Sequence, residues 1–207
     1  MKHYKGLLLV SSGIDSPVAG YLMKKRDVEV IAVHFDNSPY SSEKSLEKTK
    51  KLIKKIGIKK LYVAPLGKVV QKELTQIYRR FQCVLCRRMM FRIAERIAEK
   101  ERCDFLITGE NLGQVASQTI ENLTTAMQAV KIPIVRPLLT NDKNETVAIA
   151  RKIGTYEISI EKDTPCKLAP TQPHTKAPLD RILAKETVLN IPELISISIK
   201  NSRVESL

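Results

Sequence analysis

The sequence has no hydrophobic run of membrane-spanning length, no internal repeat and no low-complexity tract. It also shows no secretory signal, because the apolar run at residues 6–10 is short and is followed by a polar turn. These absences exclude a membrane-spanning chain and predict a cytoplasmic protein with no membrane partner. The 207 residues suffice for one α/β domain with a core and a short extension.

Cysteine is scarce, with four residues in the chain. A disulfide framework is not expected in a cytoplasmic chain of this size, so a close pair indicates metal binding or redox chemistry. Cys83 and Cys86 form such a pair, about one helical turn apart. Cys103 begins a predicted apolar strand, where we expect a buried core residue.

Acidic residues are scarce in one half of the chain. Residues 1–100 contain 22 Lys and Arg against 9 Asp and Glu, whereas residues 101–207 contain 13 of each kind. The first half therefore carries the whole net charge of +13. This asymmetry is typical of a face that binds a polyanion, but a lysine-rich solvated surface would give the same count.

Short apolar runs alternate with segments of helical period along the chain. The runs are rich in Val, Ile and Leu, as expected for strands covered on both faces, and lie at 6–10, 28–34, 61–65, 105–108 and 134–138. Helices are predicted at 16–26, 43–57, 68–81, 84–101, 115–130 and 142–153. The alternation predicts an α/β fold, an open parallel sheet with helices on both faces.

Two of the predicted helices carry the basic excess. In the helix at 84–101, Arg88, Arg92 and Arg96 recur at every fourth residue, away from an apolar stripe. The helix at 43–57 has a similar row of lysines: Lys44, Lys48, Lys51 and Lys55. The arginine row begins just after the cysteine pair, which makes it of more interest than the lysine row.

The composition changes after residue 160. Four prolines interrupt the segment 161–179, which predicts a loop: Pro165, Pro170, Pro173 and Pro178. A helix is predicted near 179–189, and 194–199 fits either a strand or an extended tail. We therefore expect a main domain at 1–178, ending in this proline-rich extension, and a tail at 179–207 packed on it.

The loop at 11–16, with the sequence SSGIDS, follows the first predicted strand. A strand, a loop of glycine and serine and then a helix form a phosphate site, because N–H groups and hydroxyls converge there. Asp15 would be a ligand for the Mg²⁺ that accompanies a nucleoside triphosphate. The loop is not a Walker A motif, and the same residues would also form an ordinary turn with a helix cap.

The loop resembles the pyrophosphate-binding motif of the PP-loop ATP pyrophosphatases, normally Ser-Gly-Gly-x-Asp-Ser. The wider chain resembles the sulfurtransferase domain of the tRNA 4-thiouridine synthetases, the ThiI family. The matching stretches are GIDSPVA at 13–19, RRMM at 87–90, TGENLGQVASQT at 108–119, RPL at 136–138 and ARKIGTYE at 150–157. One departure is Ser12, which stands where the family usually has Gly and restricts the backbone of the loop.

The resemblance implies an adenine nucleotide alpha hydrolase-like fold and an ATP site around the loop. The ATP contacts that it implies are Leu9, Val10, Ser11, Ser12, Gly13, Ser16, His34, Phe35, Arg87, Gly109 and Gln118. Backbone atoms would suffice at His34, whose imidazole would then only pack. The implied reaction transfers AMP from ATP to a uracil carbonyl oxygen of tRNA, and sulfur then replaces that oxygen, with Asp15 and Cys166 as catalytic residues.

Cys166 matches a position where the family carries a cysteine close to the active site. Relatives with a CxxC before Arg-Arg-Met-Met hold an iron–sulfur cluster on three cysteines. Here this implies a [4Fe–4S] cluster on Cys83, Cys86 and Cys166, with one iron open to sulfide. Two alternatives stay open: zinc with His174 as a fourth ligand, and a persulfide on Cys166 resolved by Cys83 or Cys86.

The family's N-terminal RNA-binding region and its rhodanese domain have no counterpart in this sequence. We therefore expect that the basic half binds tRNA alone or that a separate RNA-binding chain presents it. The sulfur donor would be sulfide or a persulfide, and a homodimer is left open. Two other functions also stay open: sulfur transfer to a small molecule in cofactor synthesis, and a non-catalytic accessory module that binds nucleotide and RNA.

Overall fold

The computed structural model describes residues 3–42, 44–164 and 166–207. Within them, six strands form one sheet: β1 (Lys5–Val10), β2 (Glu29–Asp36), β3 (Lys60–Pro65), β4 (Phe105–Ile107), β5 (Ile134–Val135) and β6 (Arg203–Ser206). The strand order is β5-β4-β1-β2-β3-β6. The first five strands are parallel and β6 is antiparallel to β3. The predicted α/β sheet is confirmed, with one antiparallel edge strand added.

Helices cover both faces of the sheet. They are α1 (Asp15–Lys24), α2 (Lys44–Lys55), α3 (Lys72–Leu74), α4 (Gln82–Glu101), α5 (Ile120–Met127), α6 (Lys143–Lys152), α7 (Tyr156–Ile160), α8 (Leu179–Glu186) and α9 (Ile191–Lys200). Alternate residues of β1 enter two separate cores: Leu7 packs with α4 on one face, and Leu8 packs with α1 and α2 on the other. No helix in the described part of the chain is long and apolar enough to cross a membrane.

The strand order reverses between β1 and β4. β2 and β3 follow β1 on one side, whereas β4 and β5 lie on the other. Open α/β sheets bind ligands at such a reversal, outside the carboxyl ends of the strands. A Cβ on Gly109, just after β4, would lie 2.5 Å from the backbone nitrogen of Ser16. Glycine at 109 therefore allows the loop after β4 to contact the first turn of α1.

Two predicted helices are shorter than expected. The segment 68–81 forms a π-helical turn (Gly67–Gln71), α3 and a 3₁₀ turn (Arg79–Phe81). A single helix was the wrong prediction because α3 ends at Leu74 and Tyr78, with φ −52° and ψ 110°, lies outside the helical region. The helix expected at 115–130 begins only at α5, where the side chain of Thr119 caps it by accepting the N–H of Asn122.

The tail contains more regular structure than the sequence indicated. Residues 194–199 belong to α9, where Leu194 and Ser198 are buried one helical turn apart, and β6 follows. The segment 161–179 is loop up to the start of α8, as predicted, over the residues that the structure describes. Pro165, one of its four prolines, lies outside the described residues. α7 was not predicted.

Candidate functional site

Hydrogen bonds among its own serines close the loop between β1 and α1. The N–H of Ser11 donates to Ser16 Oγ at 2.9 Å, and the Ser16 hydroxyl lies 3.3 Å from the Ser11 carbonyl oxygen. The N–H of Gly13 lies 3.4 Å from Ser11 Oγ. Among the described residues, no side chain caps α1 at Ile14. The first N–H groups of α1 are therefore available to an anion such as phosphate.

Ser12 bonds to residues outside the loop. Its hydroxyl donates to Asp163 Oδ2 at 3.0 Å and accepts from Ser45 Oγ at 3.2 Å. Asp163 also lies 4.0 Å from the ammonium of Lys48, which is buried and donates to the carbonyls of Ser159, in α7, and Glu161. The residue that departs from the family pattern therefore ties the loop at 11–16, which we call the phosphate loop, to the segment that carries Cys166.

Replacing Ser12 with alanine is expected to loosen the segment at 161–168. A hydrogen bond to a charged group contributes about 1.5–3 kcal/mol to stability. The backbone amides of the segment should therefore exchange hydrogen roughly tenfold faster, or more, in the variant. Hydrogen exchange followed by mass spectrometry measures this rate. Ser12→Thr keeps the hydroxyl and is the matched control. Unchanged exchange in Ser12→Ala would show that the bond to Asp163 does not hold the segment.

Asp15 begins α1 and faces a lysine from α6. Its carboxylate oxygens lie 2.9 and 3.2 Å from Lys143 Nζ, which also lies 3.3 Å from Gln114 Oε1. Both partners of this ion pair are partly exposed. A carboxylate and an ammonium thus stand together beside the phosphate loop. The ammonium can contact the phosphates of a nucleotide, and the carboxylate can bind the cation that accompanies them.

Glu110, just after β4, holds two arginines beside the loop. Its side chain is buried; Oε1 accepts from Arg87, and Oε2 accepts from Arg136 at 2.6 Å and from Thr108 at 3.0 Å. Arg136 Nη2 is buried and has no hydrogen-bond partner among the described residues. Arg87 is therefore fixed by a carboxylate, which limits its rotamers before any ligand arrives.

Two adjoining cavities gather all of the predicted ATP contacts. A cavity of about 240 Å³ is lined by Leu9, Val10, Ser11, Gly13, Asp15, Ser16, Arg87, Gly109 and Gln118, among others. One of about 520 Å³ includes Ser12, His34, Phe35 and Cys166 in its lining. Val10, Ser11, Gly13 and Met90 line both, so the two form one groove along the phosphate loop. Gln118 Oε1 is buried without a partner in the described structure, as expected for a group that awaits a ligand.

The imidazole of His34 packs inside the protein. It is buried, and its Nδ1 lies 3.3 Å from both the Val10 carbonyl oxygen and Thr49 Oγ1. Burial lowers the pKa of His34 below its usual value, which keeps the ring neutral at pH 7. Its place at the end of β2 fits a contact through the backbone rather than through the ring.

The three cysteines of the predicted cluster come from two segments of the chain. Cys83 and Cys86 lie at the start of α4, and Cys166 lies in the loop before α8. Burial raises the pKa of Cys83, and raises that of Cys86 to about 12; the neighbouring charge of Cys166 raises both further. Amide groups donate to two of the sulfurs: Gln71 to Cys86 at 2.9 Å and Asn37 to Cys166 at 3.1 Å. Cys83 and Cys86 line neither part of the groove among the described residues.

This donor set does not suit a single ion. No three His, Cys, Asp or Glu side chains in the described part of the chain are arranged to hold one metal ion. Zinc needs four ligands within about 2.3 Å, and His174 instead stacks on Phe81 with ring centroids 4.5 Å apart. The zinc alternative is therefore unsupported. Three thiols, two of which accept amide hydrogen bonds, are the type of donor that an iron–sulfur cluster requires.

The arginine row of α4 is not a free basic face, contrary to prediction. Arg88 is 1% exposed, and both Arg88 and Arg92 form two hydrogen bonds to the carboxylate of Glu186 on α8. Burial acts to raise the pKa of Glu186, but the two guanidinium groups outweigh it and hold that pKa below its usual value. Arg96 pairs with Glu99 on the surface. Two of the three arginines therefore stabilise the fold because α8 brings a carboxylate over them.

Cys103 was expected to be a buried strand residue, and the prediction was partly wrong. It lies before β4, is partly exposed and packs against the core, and burial raises its pKa to about 11. Sequence reasoning also missed Lys143, Glu110 and Asp163. Glu110 stands inside the matching stretch at 108–119 and Asp163 stands three residues before Cys166, so position gave a signal for these two. Nothing in the sequence distinguishes Lys143 from the many other lysines.

A family model described as "Thiamine biosynthesis protein (ThiI)" matches residues 2–191. The chain is 42% identical over 206 residues to a probable tRNA sulfurtransferase of Moorella thermoacetica, covering 97% of this chain and 53% of that protein. It is 43% identical over 210 residues to one of Alkaliphilus metalliredigens, covering 98% and 53%. The chain thus spans about half the length of the curated relatives it matches.

Solved structures share the fold. A 4-thiouridine synthetase in complex with RNA and with bound ATP superposes with a TM-score of 0.93 at 37% identity, covering 99% of this chain and 55% of that one. The U34-tRNA thiolase NcsA from Methanococcus maripaludis, solved with its [4Fe–4S] cluster, gives 0.62 at 19% identity over 95% of this chain and 70% of that one. The second likeness shows the fold alone.

Proposed function

The chain belongs to the ThiI family, and we propose that it catalyses ATP-dependent thiolation of a tRNA uridine, of the 4-thiouridine type. The observation that carries this proposal is the groove at the strand reversal. It joins a phosphate loop, a fixed arginine and a cysteine within one continuous surface. The relatives named as tRNA sulfurtransferases, and the synthetase solved with RNA and ATP, support the choice of substrate.

ATP would lie across the phosphate loop. The N–H groups at the start of α1 and the loop hydroxyls would hold the departing pyrophosphate, and Arg87 would contact a phosphate or ribose oxygen. The backbone at the end of β2, residues His34 and Phe35, would hold the adenine. Gln118 lines the groove, and its Oε1, buried without a partner in the described residues, would gain one from the ligand.

The reaction then proceeds in two steps. The uracil carbonyl oxygen attacks the α-phosphorus of ATP, pyrophosphate leaves, and the oxygen becomes part of an adenylate. Sulfide attacks the activated carbon, and AMP departs with the original oxygen, so no oxidant or reductant is consumed. Lys143 and the first turn of α1 would stabilise the charge that develops on the phosphates. Cys166, which lines the same groove, would lie beside the carbon under attack.

Two groups would complete the site. Mg²⁺ would bind to Asp15 and the phosphates and neutralise their charge; one or two carboxylates suffice for Mg²⁺, so the lack of a three-ligand group among described residues does not conflict. Cys83, Cys86 and Cys166 would hold a [4Fe–4S] cluster, which supplies an open iron for sulfide. The side-chain amides of Gln71 and Asn37 would change the reduction potential of the cluster through their hydrogen bonds to the sulfurs of Cys86 and Cys166.

Anaerobic protein supplied with iron and sulfide is expected to be brown, with a broad visible absorbance. The Cys83→Ser, Cys86→Ser and Cys166→Ser variants should each lose this absorbance and bound iron, because three thiolates are needed to hold the cluster. Cys103→Ser is the matched control and should keep both. Colourless wild-type protein with stoichiometric zinc would contradict the cluster.

The activity itself is tested by incubating the protein with ATP, Mg²⁺, sulfide and an unmodified tRNA transcript. Thiouridine, AMP and pyrophosphate should form in equal amounts, and AMP formation should require the transcript. Thiolation of a small molecule without tRNA would indicate cofactor synthesis instead. ATP and RNA binding without AMP formation would indicate an accessory module.

A further inference from the structure

A second surface lies beside the cysteines and outside the groove. The 3₁₀ turn Arg79–Phe81 leads directly into α4, whose first turns carry Cys83 and Cys86. Tyr78, just before it, is 47% exposed, and both arginines of the turn are exposed. We call Tyr78, Arg79, Arg80, Phe81 and His174 the aromatic patch.

The rings of the aromatic patch form a stack that rises from the core. Phe81 is buried, and His174 lies nearly parallel to it, with centroids 4.5 Å apart and planes at 23°. Tyr78 meets Phe81 edge-on at 5.4 Å and lies 6.2 Å from His174. Phe81 therefore anchors the ring of Tyr78 while nearly half of the tyrosine residue stays in solvent.

The backbone of the aromatic patch is held on both sides. The N–H of His174 donates to the Arg80 carbonyl at 3.1 Å, and the His174 carbonyl accepts from Asn122 at 2.8 Å. Arg80 Nε donates to the Gln172 carbonyl at 3.0 Å. The patch is thus preorganised, and a ligand that stacks on it loses little binding energy to ordering the protein.

We propose that the aromatic patch binds an unpaired nucleotide of the RNA substrate, with the base on the exposed ring of Tyr78 and its phosphate on Arg79 or Arg80. Aromatic rings stack on any base, and arginine contacts a phosphate with two parallel hydrogen bonds. The two exposed guanidinium groups favour an anionic ligand, and the exposed ring of Tyr78 favours one that carries an aromatic base. This inference rests on the proposed function, since it needs an RNA substrate. It also gives the basic half a contact that the buried arginines of α4 do not provide.

Tyr78→Ala is expected to raise the Kd for a labelled, unmodified tRNA transcript by roughly 5- to 100-fold, while Tyr78→Phe stays close to wild type. Tyr4→Ala is the matched control: Tyr4 is equally exposed at 47% and packs beside Phe105, outside the patch. The affinity for ATP should not change in any of these variants, and thermal unfolding checks that each is folded. Arg79→Ala should reduce the slope of the logarithm of the binding constant against the logarithm of the salt concentration, by about the amount that one phosphate contact contributes.

Fully paired duplex RNA should be insensitive to the Tyr78 substitution, because it offers no base to stack. Wild-type affinity for the transcript in both Tyr78→Ala and Arg79→Ala would overturn the assignment of the patch and leave the proposed function standing. Failure of the wild-type protein to bind any tRNA would overturn both.

Discussion

AMP formation by the Asp15→Ala variant is expected to fall by roughly 10²- to 10³-fold, the usual loss when one group that stabilises transition-state charge is removed. Asp15 stands at the start of α1, pairs with Lys143 at 2.9 Å and lines the groove. Its loss would remove the carboxylate proposed to bind Mg²⁺ and the ion-pair partner of Lys143. AMP is measured at saturating ATP, Mg²⁺, tRNA and sulfide.

The fold should survive this substitution, because a partly exposed ion pair contributes at most about 1 kcal/mol. Asp180→Ala is the matched control: Asp180 is also acidic in the first turn of a helix, α8, and is exposed, so the same interaction with a helix dipole is lost there. Its turnover should equal that of wild type. Normal turnover in Asp15→Ala would contradict a role for the phosphate loop in AMP formation.

Glu186→Ala is expected to destabilise the protein by about 3–5 kcal/mol, because it leaves a buried guanidinium without its carboxylate. Arg88 is 1% exposed and Glu186 6%, and four hydrogen bonds join Arg88 and Arg92 to that carboxylate. The midpoint of thermal unfolding should fall by roughly 6–20 °C for a chain of this size. Calorimetry or circular dichroism measures it.

Glu99→Ala is the control, since it removes an exposed pair with Arg96 and should shift stability by at most about 0.5 kcal/mol. Acid should weaken the buried pair, because the pKa of Glu186 is held below its usual value. The pair therefore stabilises the fold fully at a pH above the usual pKa of glutamate, and this stabilisation is lost as the pH falls through the lowered pKa. Unchanged thermal stability of Glu186→Ala would contradict the stabilising role of this pair.

Much of the fold was predictable because it depends on local patterns. Five apolar runs became the five parallel strands, and the loop at 11–16 lies between β1 and α1 as its residues indicated. Gly109 was carried over from a family motif, and its packing against Ser16 now gives a physical reason for glycine there. The matching stretches identified candidate site residues, and the sheet places most of these residues along one groove.

The remaining features depend on contacts between distant segments. An arginine every fourth residue is typical of an exposed helix face, and only the position of α8 shows that Glu186 covers it. Lys143 is 128 residues from Asp15, and Asp163 is 151 residues from Ser12. The antiparallel strand β6 likewise pairs with β3 after a long connection. Single-sequence patterns carry no information about such pairs.

The most direct test of adenylation follows the oxygen atom. A tRNA transcript carrying ¹⁸O at the 4-carbonyl of its uridines is incubated with the protein, ATP, Mg²⁺ and sulfide, and the AMP is analysed by mass spectrometry. If the carbonyl oxygen attacks ATP and departs with AMP, one AMP molecule should carry ¹⁸O for each thiouridine formed. Unlabelled AMP accompanying thiouridine, with the ¹⁸O released to solvent, would contradict activation of the carbonyl by AMP.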